Sequence, residues 1–124
     1  MNEIYLSLRA HLNDLANKPA IAYIGKAYTP TTGTPYIQES FFPATPEYGI
    51  GYDDFVDQAG LYQLEVMTPI GQETAWRTLG QSVADHFKRG RYTDFEISRV
   101  EWGNPVADGA FMNTRIDVYW RVLS

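Results

Sequence analysis

Ser7, His11 and Asp14 stand four and three residues apart, so a helix through them would carry a hydroxyl, an imidazole and a carboxylate on one stripe. Those are the side-chain types of a nucleophile, its base and an orienting acid. Nucleophilic catalysis also needs oxyanion donors and a wall against water, and one stripe on one helix supplies neither. The chain has no nucleophile-elbow pattern either, so the stripe is read as a solvated polar face. His86, the only other histidine, sits beside Phe87 without a paired ligand and makes no zinc site. Asp53, Asp54 and Asp57 could offer oxygen to a hard cation, but the twelve-residue calcium-loop pattern is missing and they read as solvated carboxylates. No Gly-rich phosphate cradle of either common spacing occurs. The residues therefore give no support to an enzyme, and no cofactor or metal is expected.

Charge is the more informative signal. Lys88, Arg89 and Arg91 cluster where a helix should end, and cations there meet the carbonyl end of the helix dipole. The segment from Ala44 to Ala59 is opposite in sign, with Glu47, Asp53, Asp54 and Asp57 and no Lys or Arg. A connection of that length usually has a function, and the two patches are complementary, so both are candidates for a subunit or partner interface. Overall the chain carries 10 Lys and Arg against 15 Asp and Glu, a net charge of −5 with a pI near 4.8. That argues against the basic field with which a nucleic-acid binder neutralises phosphates, though not against a pore through which DNA slides.

The elements that must position these residues follow from periodicity. Ile4, Leu8, Leu12 and Leu15 share one face of a first helix that starts after Asn2 and stops at Asn17-Lys18-Pro19. Extended segments are predicted at 21–24 and 36–42, separated by the loop Thr29 to Pro35 and closed by Pro43. Tyr62, Leu64 and Val66 alternate with Gln63 and Glu65 as a half-buried strand that stops at Pro69 and Gly71. Trp76, Leu79, Val83 and Phe87 then have helical spacing, ending at Gly90; Trp76 is read as core. Residues 95–102 form a strand with an ambiguous inward face. Residues 112–122 form a clear one, entered through turns at Asn104-Pro105 and Asp108-Gly109, and the two should pair as an antiparallel hairpin.

At 124 residues, with 44% apolar and 15% aromatic residues, the chain fits one domain spanning 1–124 with a core of its own. The expected fold class is α+β: two helices packed on one face of a mostly antiparallel sheet of four to five strands. Arg115, Asp117, Tyr119 and Arg121 make the other face polar on the last strand, so it is solvated or covered by another subunit, and Arg115 and Arg121 join the interface candidates. Without cysteine there are no disulfides. The start, Met1-Asn2-Glu3-Ile4, lacks a basic leader, and no apolar run reaches membrane-span length, so cytoplasmic synthesis is expected.

The block Gly60-Leu61-Tyr62-Gln63-Leu64-Glu65-Val66, the Pro69-Ile70-Gly71 turn and a helix ending Phe87-Lys88-Arg89-Gly90 resemble the phage tail terminator-like family. That family shows a Gly-Leu/Ile-Tyr-Gln-Val-Asp-Val strand, a Pro-x-Gly turn and a helix ending Phe-x-Arg-Gly. The likeness extends over most of the chain through Tyr28-Thr29-Pro30, Gly33-Thr34-Pro35-Tyr36-Ile37, Pro43-Ala44-Thr45-Pro46, Asp108-Gly109 and Tyr119-Trp120-Arg121-Val122. It departs at Glu73-Thr74, where relatives often carry another glycine.

The resemblance implies a structural virion protein with no catalytic residues. It would form a hexameric ring on the head-proximal end of the tail tube, stop tube polymerisation and offer a surface for head attachment. The implied partners are copies of itself, the tail tube protein and the head-tail connector, with DNA passing through the lumen without specific binding and no membrane. Assembly would occur in the host bacterial cytoplasm. Two other readings stand beside it: a neck or head-completion protein, and a small ligand-binding α+β domain in which Tyr36, Tyr48, Tyr52 and Tyr62 line a pocket.

Overall fold

The computed structural model describes residues 2–43, 59–92 and 95–122. In chain order these form α1 (Asn2–Asn13), β1 (Ala20–Ala22), β2 (Tyr36–Pro43), β3 (Ala59–Pro69), α2 (Glu73–His86), β4 (Gly90–Arg91), β5 (Glu96–Trp102), β6 (Val106–Asp108) and β7 (Phe111–Arg121). The strands make one sheet in the order β1-β2-β3-β7-β5-β4, with β6 pairing the early part of β7.

The four central strands run antiparallel to their neighbours, while β1 lies parallel to β2. The sheet is thus mixed and has seven strands, where the sequence predicted four to five. The additional strands β4 and β6 are two and three residues long, too short to show a period. The expected turn at Asp108-Gly109 is present, Gly109 taking the positive φ (60°) that the tight connection demands, and between it and Asn104-Pro105 lies β6, which pairs back on β7 through Asp108↔Phe111.

Both helices cover one face. Leu8 and Leu12 of α1 are fully buried, with Ile4 and Leu15 nearly so; the helix ends at Asn13, and Asn17 at φ 55° lies in the turn that follows it. From α2, Val83 and the following Phe87 are fully buried and Leu79 partly so. They pack on Tyr62, Leu64, Val66, Ile97, Ile116, Val118 and Trp120, the inward residues of β3, β5 and β7. Each aliphatic or Phe side chain taken fully out of water contributes about 1.5–3 kcal/mol, so this layer is the main source of stability.

Close approach explains two glycines. A Cβ on Gly60 would lie 2.6 Å from the Phe42 carbonyl oxygen and 2.6 Å from the Trp120 ring, so the residue that opens the Gly-Leu-Tyr block must be Gly for β3 to lie against its neighbours. At Gly80 a Cβ would meet the Trp102 ring at 2.8 Å, which lets α2 sit down on β5.

The ambiguous face of residues 95–102 has a specific cause. Ile97 pairs with Trp120 and Arg99 with Tyr119, so Ser98 is an extra residue, a bulge that shifts the alternation by one. Ile97 and Val100 therefore both face the helices although they are three residues apart, and Arg99 turns to the open face.

Candidate assembly interface

Beneath α1 lies a polar centre that periodicity did not reveal. The Glu39 carboxylate, on the helix-facing side of β2 and 2% exposed, accepts hydrogen bonds from the Tyr5 hydroxyl (2.6 Å), the Tyr62 hydroxyl, the Arg9 guanidinium and the Ile24 N–H (3.2 Å). Burial, then the bond to Glu39, pushes the Tyr62 hydroxyl far above its ordinary range, so it stays protonated as a donor. One buried charge is thus paired and saturated from α1, β3 and the loop after β1, which fixes those elements together. The only sequence signal was Glu39 alternating with the apolar inward residues Ile37 and Phe41 of the strand.

In the stripe of Ser7, His11 and Asp14, His11 corrects the solvated reading. Its ring stacks on His86 at 4.1 Å and packs edge-on against Phe87 and Tyr92. His11 Nε2 donates to the His86 carbonyl (2.7 Å) and His86 Nε2 to the His11 carbonyl (2.5 Å), so both rings are spent in joining α1 to α2. Desolvation lowers the His11 pKa below its ordinary 6.5. Among the described residues, no three His, Asp or Glu side chains converge as a metal site.

Tyr36 and Tyr62 lie on opposite faces of the sheet. Tyr62 is in the main core, whereas Tyr36 joins Met67 and Phe111 in a small cluster on the other side, against Tyr28. They cannot line one pocket. Tyr48 and Tyr52, like Glu47, Asp53, Asp54 and Asp57, fall outside the described residues.

The basic candidates lie at one corner. Lys88 and Arg89 are exposed just beyond α2, and exposed Arg91 sits on β4 opposite Glu96. Glu96 is in turn opposite Arg121 on β7, so Arg91, Glu96 and Arg121 form a row across three strands, and the helix-end cluster continues onto the open face of the sheet. Arg115 is on the same face farther along β7, paired with Asp117 at 3.3 Å.

That open face is polar and shallowly cleft. Gln63 donates to Asp117 (3.2 Å), Asn113 to Glu65 (2.6 Å), and the Arg99 guanidinium lies 4.1 Å over the Tyr119 ring. One cleft of about 450 Å³ runs between Phe42, Leu61, Arg99, Tyr119 and Arg121. Another, of about 380 Å³, lies between Gln63, Glu65, Asn104, Asn113 and Arg115. With ion pairs partly exposed, such a surface can recognise a partner by charge and shape.

A family model described as phage tail terminator protein matches residues 3–101. No curated protein matches. A solved structure that carries only an identifier as its name superimposes with a TM-score of 0.65 at 17% identity, covering 86% of this chain and 80% of that chain. At that identity the likeness is one of fold.

Proposed function

From the premise that this chain belongs to the phage tail terminator family, we propose that it closes the head-proximal end of the tail tube as a ring of identical subunits, stops tube growth and offers the surface to which the head attaches. The observation that carries the reading is the family match across 3–101, which includes both helices and all the central strands but β7. The structure is compatible with it. A polar open sheet face and a basic corner at the end of α2 support contact with other proteins.

A hexamer, contacts with the tail tube protein and the head-tail connector, and DNA passing through the lumen belong to the same proposal. So does the place of action, the head-proximal end of the virion tail, after assembly in the bacterial cytoplasm. A ring needs a head-to-tail interface whose rotation closes, with complementary patches on two sides of one subunit. The basic corner and the acidic 44–58 segment are such patches by charge, and Arg115 and Arg121 extend the first onto the sheet.

The test is addition of purified protein to polymerising tail tube protein. Tubes that stop at a length set by the time of addition support a terminator. Tubes that keep growing at the same rate and carry no extra density at either end contradict it. Binding only to completed head-connector complexes would favour a neck protein instead.

A further inference from the structure

The sheet has two incomplete outer edges. Along β2, residues 36–38 are paired on the outside by β1, and among the described residues no strand pairs the outer side of Glu39–Pro43. Along β5, residues 96 and 97 are paired on the outside by β4, and no described strand pairs the outer side of Ser98–Trp102. Each open stretch spans five residues (39–43 and 98–102). Unpaired N–H and C=O groups in such a row are a template for another chain.

We infer that neighbouring copies of this chain join by antiparallel pairing of the open β5 edge of one copy with the open β2 edge of the next. This rests on the ring reading above and specifies its interface.

Four relationships fix the pairing. First, β2 and β5 run in opposite senses, because three antiparallel steps (β2-β3, β3-β7, β7-β5) separate them. A rotation about an axis along the strands preserves each strand's sense, so the β5 and β2 that meet are antiparallel, as the rest of the central sheet is.

Second, one register matches the two open stretches residue for residue: Glu39 opposite Trp102, Phe41 opposite Val100, and Pro43 opposite Ser98. At one end the incoming β2 stops at Pro43 where β4 already occupies the lane. At the other, the incoming β5 leaves after Trp102, where Gly103 turns to bond the Arg115 carbonyl (2.7 Å), beside the end of β1, whose Ala22 is opposite Gln38.

Third, opposed residues in an antiparallel pair must share a face, and here they do. Phe41 and Val100 both face the helices, each half-buried within its own subunit, and Ser40 with Glu101 and Phe42 with Arg99 both fall on the open face. Phe42, 52% exposed, would gain cover from the Arg99 side chain. A cleft of about 390 Å³ lies between residues 38–40 and the loop after β1.

Fourth, the register sets Pro43 of one copy beside β4 of the next, the strand that carries Arg91 and follows Lys88 and Arg89. The sequence leaving Pro43 holds four carboxylates within 44–58 and no cation. The sequence that follows Pro43 is thus opposite in charge to the corner beside which this register sets Pro43.

The chain has no cysteine, so Ser40→Cys with Glu101→Cys gives a clean probe. Within one subunit these positions are three strands apart, about 14 Å, beyond the ~7 Å Cα limit for a disulfide. Oxidation of the full-length double variant, as concentrated protein and in isolated tails, should give a ladder of covalent oligomers on non-reducing gels, while each single variant and the face-mismatched pair Ser40→Cys with Val100→Cys give none. Phe42→Cys with Arg99→Cys repeats the test at two exposed positions. Ring-sized particles without a ladder from either matched pair would overturn this interface and leave the ring reading standing. Monomers at every concentration and on tails would overturn both.

Discussion

His11 and His86 hold each other by reciprocal hydrogen bonds, each imidazole Nε2 donating to the other residue's backbone carbonyl at 2.7 and 2.5 Å while the rings stack 4.1 Å apart. The pair joins the C-terminal turns of both helices, and α2's own last turn closes with the Phe87 N–H on the Val83 carbonyl. Partial burial of the His11 ring disfavours its charged form.

Acid should therefore loosen the helical layer. The folded His11 pKa is lowered by desolvation, so near pH 6 the unfolded chain binds more protons than the folded one, and stability falls as pH drops through about 6.5, the unfolded value. Denaturant midpoints at pH 7.5 and 5.5 check this. The wild type should be less stable at 5.5, and His11→Gln should show a smaller difference between the two. Equal pH dependence in both would remove His11 from this role.

Replacing Glu39 by Ala should cost about 3–5 kcal/mol, because it strands the Arg9 guanidinium and two hydroxyls that now converge on one buried carboxylate. Val83→Ala, deep under α2, should cost about 2–3 kcal/mol. Urea melts measure both, and a loss under 1 kcal/mol for Glu39→Ala would mean that water takes over the site.

Gly60→Ala should destabilise by about 2 kcal/mol or more, since the new methyl meets a backbone oxygen and a buried ring at once. Thermal unfolding reads this directly. A melting temperature equal to that of the wild type would show that β3 can move aside.

Much of this architecture was legible because its long elements have clean periods. The stripe Ile4, Leu8, Leu12, Leu15 and the alternation through β3 and β7 each identify a face that is buried in the structure. What escaped has physical reasons. Strands of two or three residues carry no period, a single bulge at Ser98 inverts an alternation, and parallel pairing of β1 with β2 is a tertiary choice. His11 looked solvated because its partner lies 75 residues away. Tyr36 and Tyr62 seemed able to share a pocket only until their register, 36 with 67 and 62 with 41, set them on opposite faces. Of the interface candidates, the sequence located the basic corner but could not show that Arg121 joins it through Glu96.

Arg89→Glu with Arg91→Glu should leave the fold intact, both sites being exposed, and weaken self-association on the order of tenfold, with a larger effect at low salt. Sedimentation at two ionic strengths distinguishes this from a folding defect, which circular dichroism would detect. Unchanged association at low salt would release the basic corner from the interface.

The most direct test of the terminator reading is electron microscopy of a lysate from phage lacking this protein. The account predicts tail tubes of uncontrolled length and filled heads without tails, both restored by supplying the protein from a plasmid. Tails of normal length, bearing heads, in that lysate would contradict it.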